Sequence, residues 1–211
     1  MNRKLILGLF SIFVVMSSIS VASSQLAVGV KAGDWIQYQV TFTGTPDPSH
    51  AMVAANMTVL DVQGTAIKVN ILSTYSNGTQ VSTNSTLNLQ TGQLIDNFII
   101  PASLTKGDQF YDSNVGNITI AGVEQKTYAG ATRTVINATS GSNTYIWDQA
   151  TGVSVEGLTV ASNYTMQSLA NATNMWQSQV PEFGSTIITS LATAGVIVIV
   201  TATVIMARRR R

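Results

Sequence analysis

Cysteine is absent from all 211 residues, and histidine occurs once, at position 50. No disulfide and no thiolate metal site is therefore available, and a single histidine cannot supply a histidine-pair metal centre, so no metal or cofactor is expected. Charge is also scarce, at 10% of residues. Between Gln25 and Ser185 the cations are Lys31, Lys68, Lys106, Lys126 and Arg133, five against ten carboxylates, which leaves that stretch at about minus five. A sparse acidic surface has no basic stripe to neutralise phosphates, which excludes nucleic acid as the expected partner. Its stability has to come from packing and hydrogen bonds.

What the chain does have is one long hydrophobic run, Thr186 to Ala207, free of charge and ending at Arg208, Arg209, Arg210 and Arg211. As a helix it reaches roughly 33 Å, enough to cross a hydrocarbon core of about 30 Å. Terminal arginines stay on the cytoplasmic side, so everything before the run is expected outside. The opposite end agrees. Arg3 and Lys4, an apolar stretch from Leu5 to Met16 and small residues from Ser17 to Ser24 have the layout of a secretory signal peptide. The expected organisation is a signal peptide over 1–23, a β-rich extracellular domain over 24–176, a linker over 177–185, a transmembrane helix over 186–207 and a basic cytoplasmic tail over 208–211. Roughly 150 residues suffice for one core without metals or staples.

Within that exported stretch, Asn56, Asn77, Asn84, Asn117, Asn137, Asn163 and Asn171 are each followed two residues later by threonine, with no proline between. These are seven acceptor sequons where chance predicts about three. A Ser/Thr/Asn-rich β surface also generates sequons freely, so two origins compete. As glycan sites they predict side chains facing water.

Apolar residues recur with period two. Ile36, Tyr38, Val40 and Phe42 alternate with Gln37, Gln39 and Thr41, and Ile67, Val69 and Ile71 with Lys68 and Asn70. Each series places its apolar members on one face of a strand. Gln63-Gly64 and Asn77-Gly78 read as turns, the second as a tight hairpin using positive φ at both residues. Further strands are expected over 80–89, 93–100, 117–121, 126–128, 133–139, 143–148, 152–161 and 164–173. Met166 to Trp176 also matches a helical face, but its Thr and Asn content favours strand. Two echoes, Gly33-Asp34 with Gly107-Asp108 and Thr91-Gly92 with Thr151-Gly152, suggest related turns. The fold class is mainly β: a single, curved antiparallel sheet as ectodomain, between an N-terminal signal helix and a C-terminal transmembrane helix.

The order Gly33-Asp34-Trp35 with Tyr38, Thr91-Gly92, Pro101 to Gly107-Asp108, Tyr128 to Arg133 and Trp147-Asp148-Gln149-Ala150-Thr151-Gly152-Val153 resembles archaeal exported surface proteins that are themselves uncharacterised. Their fold analogy is the curved sheet of lipoprotein-carrier-like proteins, which implies a concave apolar surface for a lipid or other apolar ligand. In the tail, Pro181-Glu182-Phe183 before the hydrophobic span and basic end is similar to the PEF-type sorting signal read by archaeosortases, although Gly184 stands where that family often has proline. That likeness implies cleavage near the tripeptide, transfer to a lipid and an archaeosortase-like processing enzyme as partner. An ordinary anchor, with Pro181 merely ending the preceding strand, is the competing reading.

Catalytic constellations are few. Ser103-Leu104-Thr105-Lys106 fits the Ser-x-x-Lys pattern, but that chemistry needs one helical turn to bring lysine to serine, and Pro101 and Gly107 frame a loop. Asp108, Asp112, Ser113, Asn114 and Asn117 form an oxygen-rich loop without the spacing of a calcium loop, so a hydrated turn is expected. Trp35, Trp147 and Trp176 could stack sugars or pack across strands, and packing suits their scattered placement. Arg133 is expected in a structural ion pair across the sheet. The expected function is a non-enzymatic, surface-anchored, glycosylated envelope or interaction module, with a binding protein for a lipid or other apolar ligand as the alternative.

Overall fold

A computed structural model describes residues 26–46 and 51–179. The signal peptide, the Pro181-Glu182-Phe183 motif, the hydrophobic run, the four terminal arginines and His50 lie outside the described residues. Among those described, no helix is long and apolar enough to cross a membrane.

Eleven strands form: β1 (Trp35–Gly44), β2 (Met52–Gln63), β3 (Ala66–Tyr75), β4 (Gln80–Asn88), β5 (Gln109–Asp112), β6 (Gly116–Thr119), β7 (Gly122–Tyr128), β8 (Ala131–Ser140), β9 (Asn143–Asp148), β10 (Ser154–Val160) and β11 (Tyr164–Thr173). Nine make one antiparallel sheet in the order β4-β3-β2-β1-β11-β10-β9-β8-β7, and β5 and β6 pair separately as a hairpin. The expectation of one sheet is thus corrected to a large sheet plus a small one. Two meanders meet where the first strand pairs with the last, with Tyr38 opposite Ala170 and Val40 opposite Ser168. β4 and β7 remain unpaired edges, so the sheet is not closed.

The sheet curls. Three strands separate β11 from β7, which in a flat sheet would hold them about 19 Å apart; their Cα atoms nevertheless approach within 8 Å. The inner face carries the alternating residues the sequence predicts: Ile36, Tyr38 and Val40, then Ile67 and Val69, are buried. A segment running from the end of β4 through the β5–β6 hairpin covers one half of that face with buried Leu94, Ile99, Ile100, Phe110, Ile118 and Ile120. Phe110 meets Trp147 edge to face, ring centroids 5.5 Å apart, and Trp147 is fully buried.

Residues 93–100, expected as a strand, are instead a turn with single bridges from Gln93 to Asn88 and from Ile99 to Val153. Ile99 and Ile100 are adjacent and both fully buried, a pattern that a half-exposed strand cannot give. Ile95, Asp96 and Asn97 have φ of 48°, 52° and 56°. A run of left-handed residues is costly, about 1–2 kcal/mol each for residues with a side chain. Trp147 offsets part of that cost by donating from Nε1 to the Asn97 carbonyl at 2.8 Å.

The echoed turns are structurally related. Asp34 Oδ2 accepts from Lys31 N at 2.9 Å while Asp34 N donates to Lys31 O; Asp108 Oδ2 accepts from Thr105 N at 2.8 Å while Asp108 N donates to Thr105 O. Gly33 and Gly107 supply φ of 88° and 93° at the same place in each turn. Likewise Thr91 N donates to Asn88 Oδ1 and Thr151 N to Asp148 Oδ1. The Asn77-Gly78 turn differs from expectation: only Gly78 has positive φ, and Asn77 instead accepts from Thr79 N.

Beyond β11 the chain crosses the β7–β8 turn. Trp176 Nε1 donates to Tyr128 O at 3.1 Å, and Gln179 N to Gly130 O at 2.7 Å. Ser178 and Gln179, expected as linker, are therefore hydrogen-bonded to the domain.

Candidate ligand cavity

The half of the inner face left uncovered by the β5–β6 segment contains a cavity of about 250 Å³. Pairing explains its walls. Tyr145 on β9 stands opposite Gly157 on β10, which stands opposite Ser168 on β11, which stands opposite Val40 on β1. All four line the cavity, as do Tyr38, Met52, Met166 and Asn143. Gly157 keeps this row low, because a Cβ there would approach Ser168 Oγ to 2.8 Å. The left-handed turn closes one side by presenting Asp96 and Phe98.

Aromatic rings give the cavity rigid walls. Tyr38 and Phe98 lie 5.9 Å apart, and Tyr145 stacks on Trp147 at 5.4 Å. Tyr38 donates from its hydroxyl to Ser154 O at 2.8 Å. Burial pushes that phenol well above its ordinary range, so it stays a neutral donor. Asn143 Oδ1 is buried without a hydrogen-bond partner, and Asp96, exposed at the edge, makes no hydrogen bond or ion pair with a described residue.

A larger, more open cleft of about 470 Å³ lies beside Ser103, Arg133 and Asp148. Its two charged groups already satisfy one another. Arg133 donates from Nε to Asp148 Oδ2 at 2.7 Å and from a terminal nitrogen to Oδ1 at 3.2 Å; Thr151 donates to Oδ1 from its backbone N and its hydroxyl. The guanidinium lies 4.7 Å from the centre of the Trp176 ring. This is the structural bridge that the sequence suggests. Volume alone therefore does not select the cleft; apolar and aromatic walls favour the smaller cavity as a ligand site.

The other sequence candidates are placed as follows. Ser103 is exposed in a non-helical turn with φ of 63°, so no helix carries Lys106 to it. Asp112 is buried and caps Asn114 N at 2.7 Å; no group of three or more metal-ligating side chains occurs among the described residues. Trp147 and Trp176 are buried, so neither offers a face to a sugar. Among the sequons, Asn77, Asn84, Asn117, Asn163 and Asn171 are exposed, whereas Asn56 and Asn137 are half-buried. Asn56 Oδ1 is enclosed without a partner. Sequence reasoning missed Asp96, Phe98 and Asn143, because nothing local marks a residue whose role arises where distant segments meet.

No family model and no curated protein matches this chain. A solved structure, described as "The Siderocalin Ex-FABP functions through dual ligand specificities", aligns over 70% of this chain and 76% of its own at 12% identity, with a TM-score of 0.28. At that distance the likeness transfers neither fold nor ligand, and what is established is an open, mainly β, antiparallel domain.

Proposed function

We propose that the protein is a non-enzymatic, surface-tethered module that takes a small apolar or amphiphilic ligand into the uncovered half of its inner face. The carrying observation is the cavity of about 250 Å³, walled by Tyr38, Val40, Met52, Phe98, Tyr145 and Met166. That volume lies just below the roughly 300–1,000 Å³ of drug-sized ligand sites. It suits a small molecule, or one end of a longer one whose remainder lies along the open sheet. Titration calorimetry with 2-phenylethanol tests the reading. The native chain should bind it and Ser168→Phe, which fills the cavity floor, should not; the proposal is rejected when the native chain binds neither this alcohol nor its ammonium or carboxylate analogue.

The tether follows from the hydrophobic run and the arginines, with the domain outside a cell membrane and the C-terminus cytoplasmic. The last described residue, Gln179, is bonded beside Gly130 at one end of β8, while Asn143 follows its other end, about 30 Å away along ten residues. Cleavage near Pro181-Glu182-Phe183 by an archaeosortase-like enzyme would replace the span by a lipid. Top-down mass spectrometry decides this: a dominant mature species retaining Ile187 to Arg211 would leave a single-pass membrane protein, and Glu182→Ala should block processing if the motif is read.

A second reading, an envelope module without a ligand, is favoured by the five exposed sequons. Binding of the probe separates the two.

A further inference from the structure

The cavity's charge pattern narrows the ligand. Among the described lining residues Asp96 is the only carboxylate, and no lysine or arginine accompanies it. Tyr38, Phe98 and Tyr145 place aromatic rings in the same wall, and ring faces attract cations within about 6 Å of their centres. The surrounding segment, at about minus five overall, adds a field of the same sign.

We infer that the cavity selects a small organic cation, an ammonium group on an apolar stem, with the ammonium at Asp96 and the aromatic rings and the stem between Val40, Met52 and Met166. The inference rests on the ligand-binding reading above and deepens it. An anionic head would meet a carboxylate with no compensating cation among the described lining residues. A neutral alcohol would bring Asp96 no counter-charge. Asp96 lies in the left-handed turn, with φ of 52°, and the Trp147 bond to the next carbonyl, that of Asn97, anchors this segment at the cavity edge.

The test compares three probes of matched shape on the full chain in nanodiscs, with empty nanodiscs as control: 2-phenylethylammonium, 2-phenylethanol and 3-phenylpropanoate. The ammonium should bind at least tenfold more tightly than the alcohol, and the carboxylate should bind weakest. Asp96→Asn retains a residue type that tolerates left-handed φ, so the fold should persist. It should lower ammonium affinity about tenfold or more and so remove the preference over the alcohol. Raised salt should weaken ammonium binding in the native chain. Equal binding of ammonium and alcohol, or an unchanged preference in Asp96→Asn, overturns the cation inference while leaving the ligand reading intact. Failure of all three probes to bind overturns both.

Discussion

Trp147 is fully buried and donates its only polar hydrogen, at 2.8 Å, to the carbonyl of Asn97, the third of three consecutive residues with positive φ. One side chain therefore joins the core of the sheet to the strained turn that edges the cavity. Trp147→Phe keeps an aromatic ring but leaves that buried carbonyl unpaired, at a cost of about 1–3 kcal/mol beyond the lost packing. Urea denaturation should register the loss, and amide exchange should accelerate at Ile95 to Phe98 more than in β2. Uniform acceleration across the sheet would show that the turn does not depend on this bond.

Arg133 and Asp148 make the converse test, since the carboxylate is wholly buried and the guanidinium side chain is 23% exposed. Removing the cation alone by Arg133→Ala should cost about 3–5 kcal/mol, because an uncompensated charge remains inside. Arg133→Met combined with Asp148→Asn should recover part of this, the amide oxygen still accepting from Thr151. A cost for Arg133→Ala below about 1 kcal/mol would mean the pair behaves as a surface ion pair.

Two glycines separate conformation from space. Gly33 has φ of 88° with nothing within 4 Å of an added Cβ, whereas at Gly152, φ 71°, the Cβ would fall on the Ile100 carbonyl oxygen. Gly33→Ala should cost about 1–2 kcal/mol, and Gly152→Ala on the order of 4 kcal/mol, since backbone must move. Equal losses by thermal or chemical denaturation would contradict the close approach of the 151–152 turn to Ile100.

Alkaline pH should destabilise the domain. Burial raises the Tyr38 phenol, and burial followed by the Glu156 hydrogen bond and the charges of Glu156 and Glu124 raises Tyr128. Both groups thus hold protons in the folded chain that the unfolded chain releases near pH 10. Their contribution is complete below about pH 10 and is lost as pH rises beyond it, at up to about 1.4 kcal/mol per pH unit for each group. Tyr38→Phe should lose about 1 kcal/mol at neutral pH with the bond to Ser154, and its denaturation midpoint should fall less steeply above pH 10. An unchanged slope would assign the alkaline loss elsewhere.

Peptide mass spectrometry on native material should find glycans at several of Asn77, Asn84, Asn117, Asn163 and Asn171, and less at half-buried Asn56 and Asn137. Occupancy concentrated at Asn56 would contradict this exposure pattern, and seven unmodified asparagines would remove glycosylation from the account.

The residue pattern alone determined much of the domain. Alternation located β1, β3 and β4, the bounds of β9 and β11 match the expected ranges, and the paired Gly-Asp and Thr-Gly signals marked turns that share hydrogen bonds. These are local properties, set by the two-residue period of side chains and by the φ that glycine permits. β2 was not legible as a strand, because Ala54 and Ala55 and register shifts at Met52/Ala54 and Val59/Asp61 break its alternation. Residues 93–100 carried apolar residues at strand-like density, yet their fate depended on an inner face that needed covering, and burial there favoured a left-handed turn over continued pairing. Tertiary structure decided the meeting of β1 with β11, the partner of Arg133 and the juxtaposition of Asp96, Phe98 and Asn143. A cavity belongs to the space between segments far apart in the chain, and no local period encodes which segments will face it.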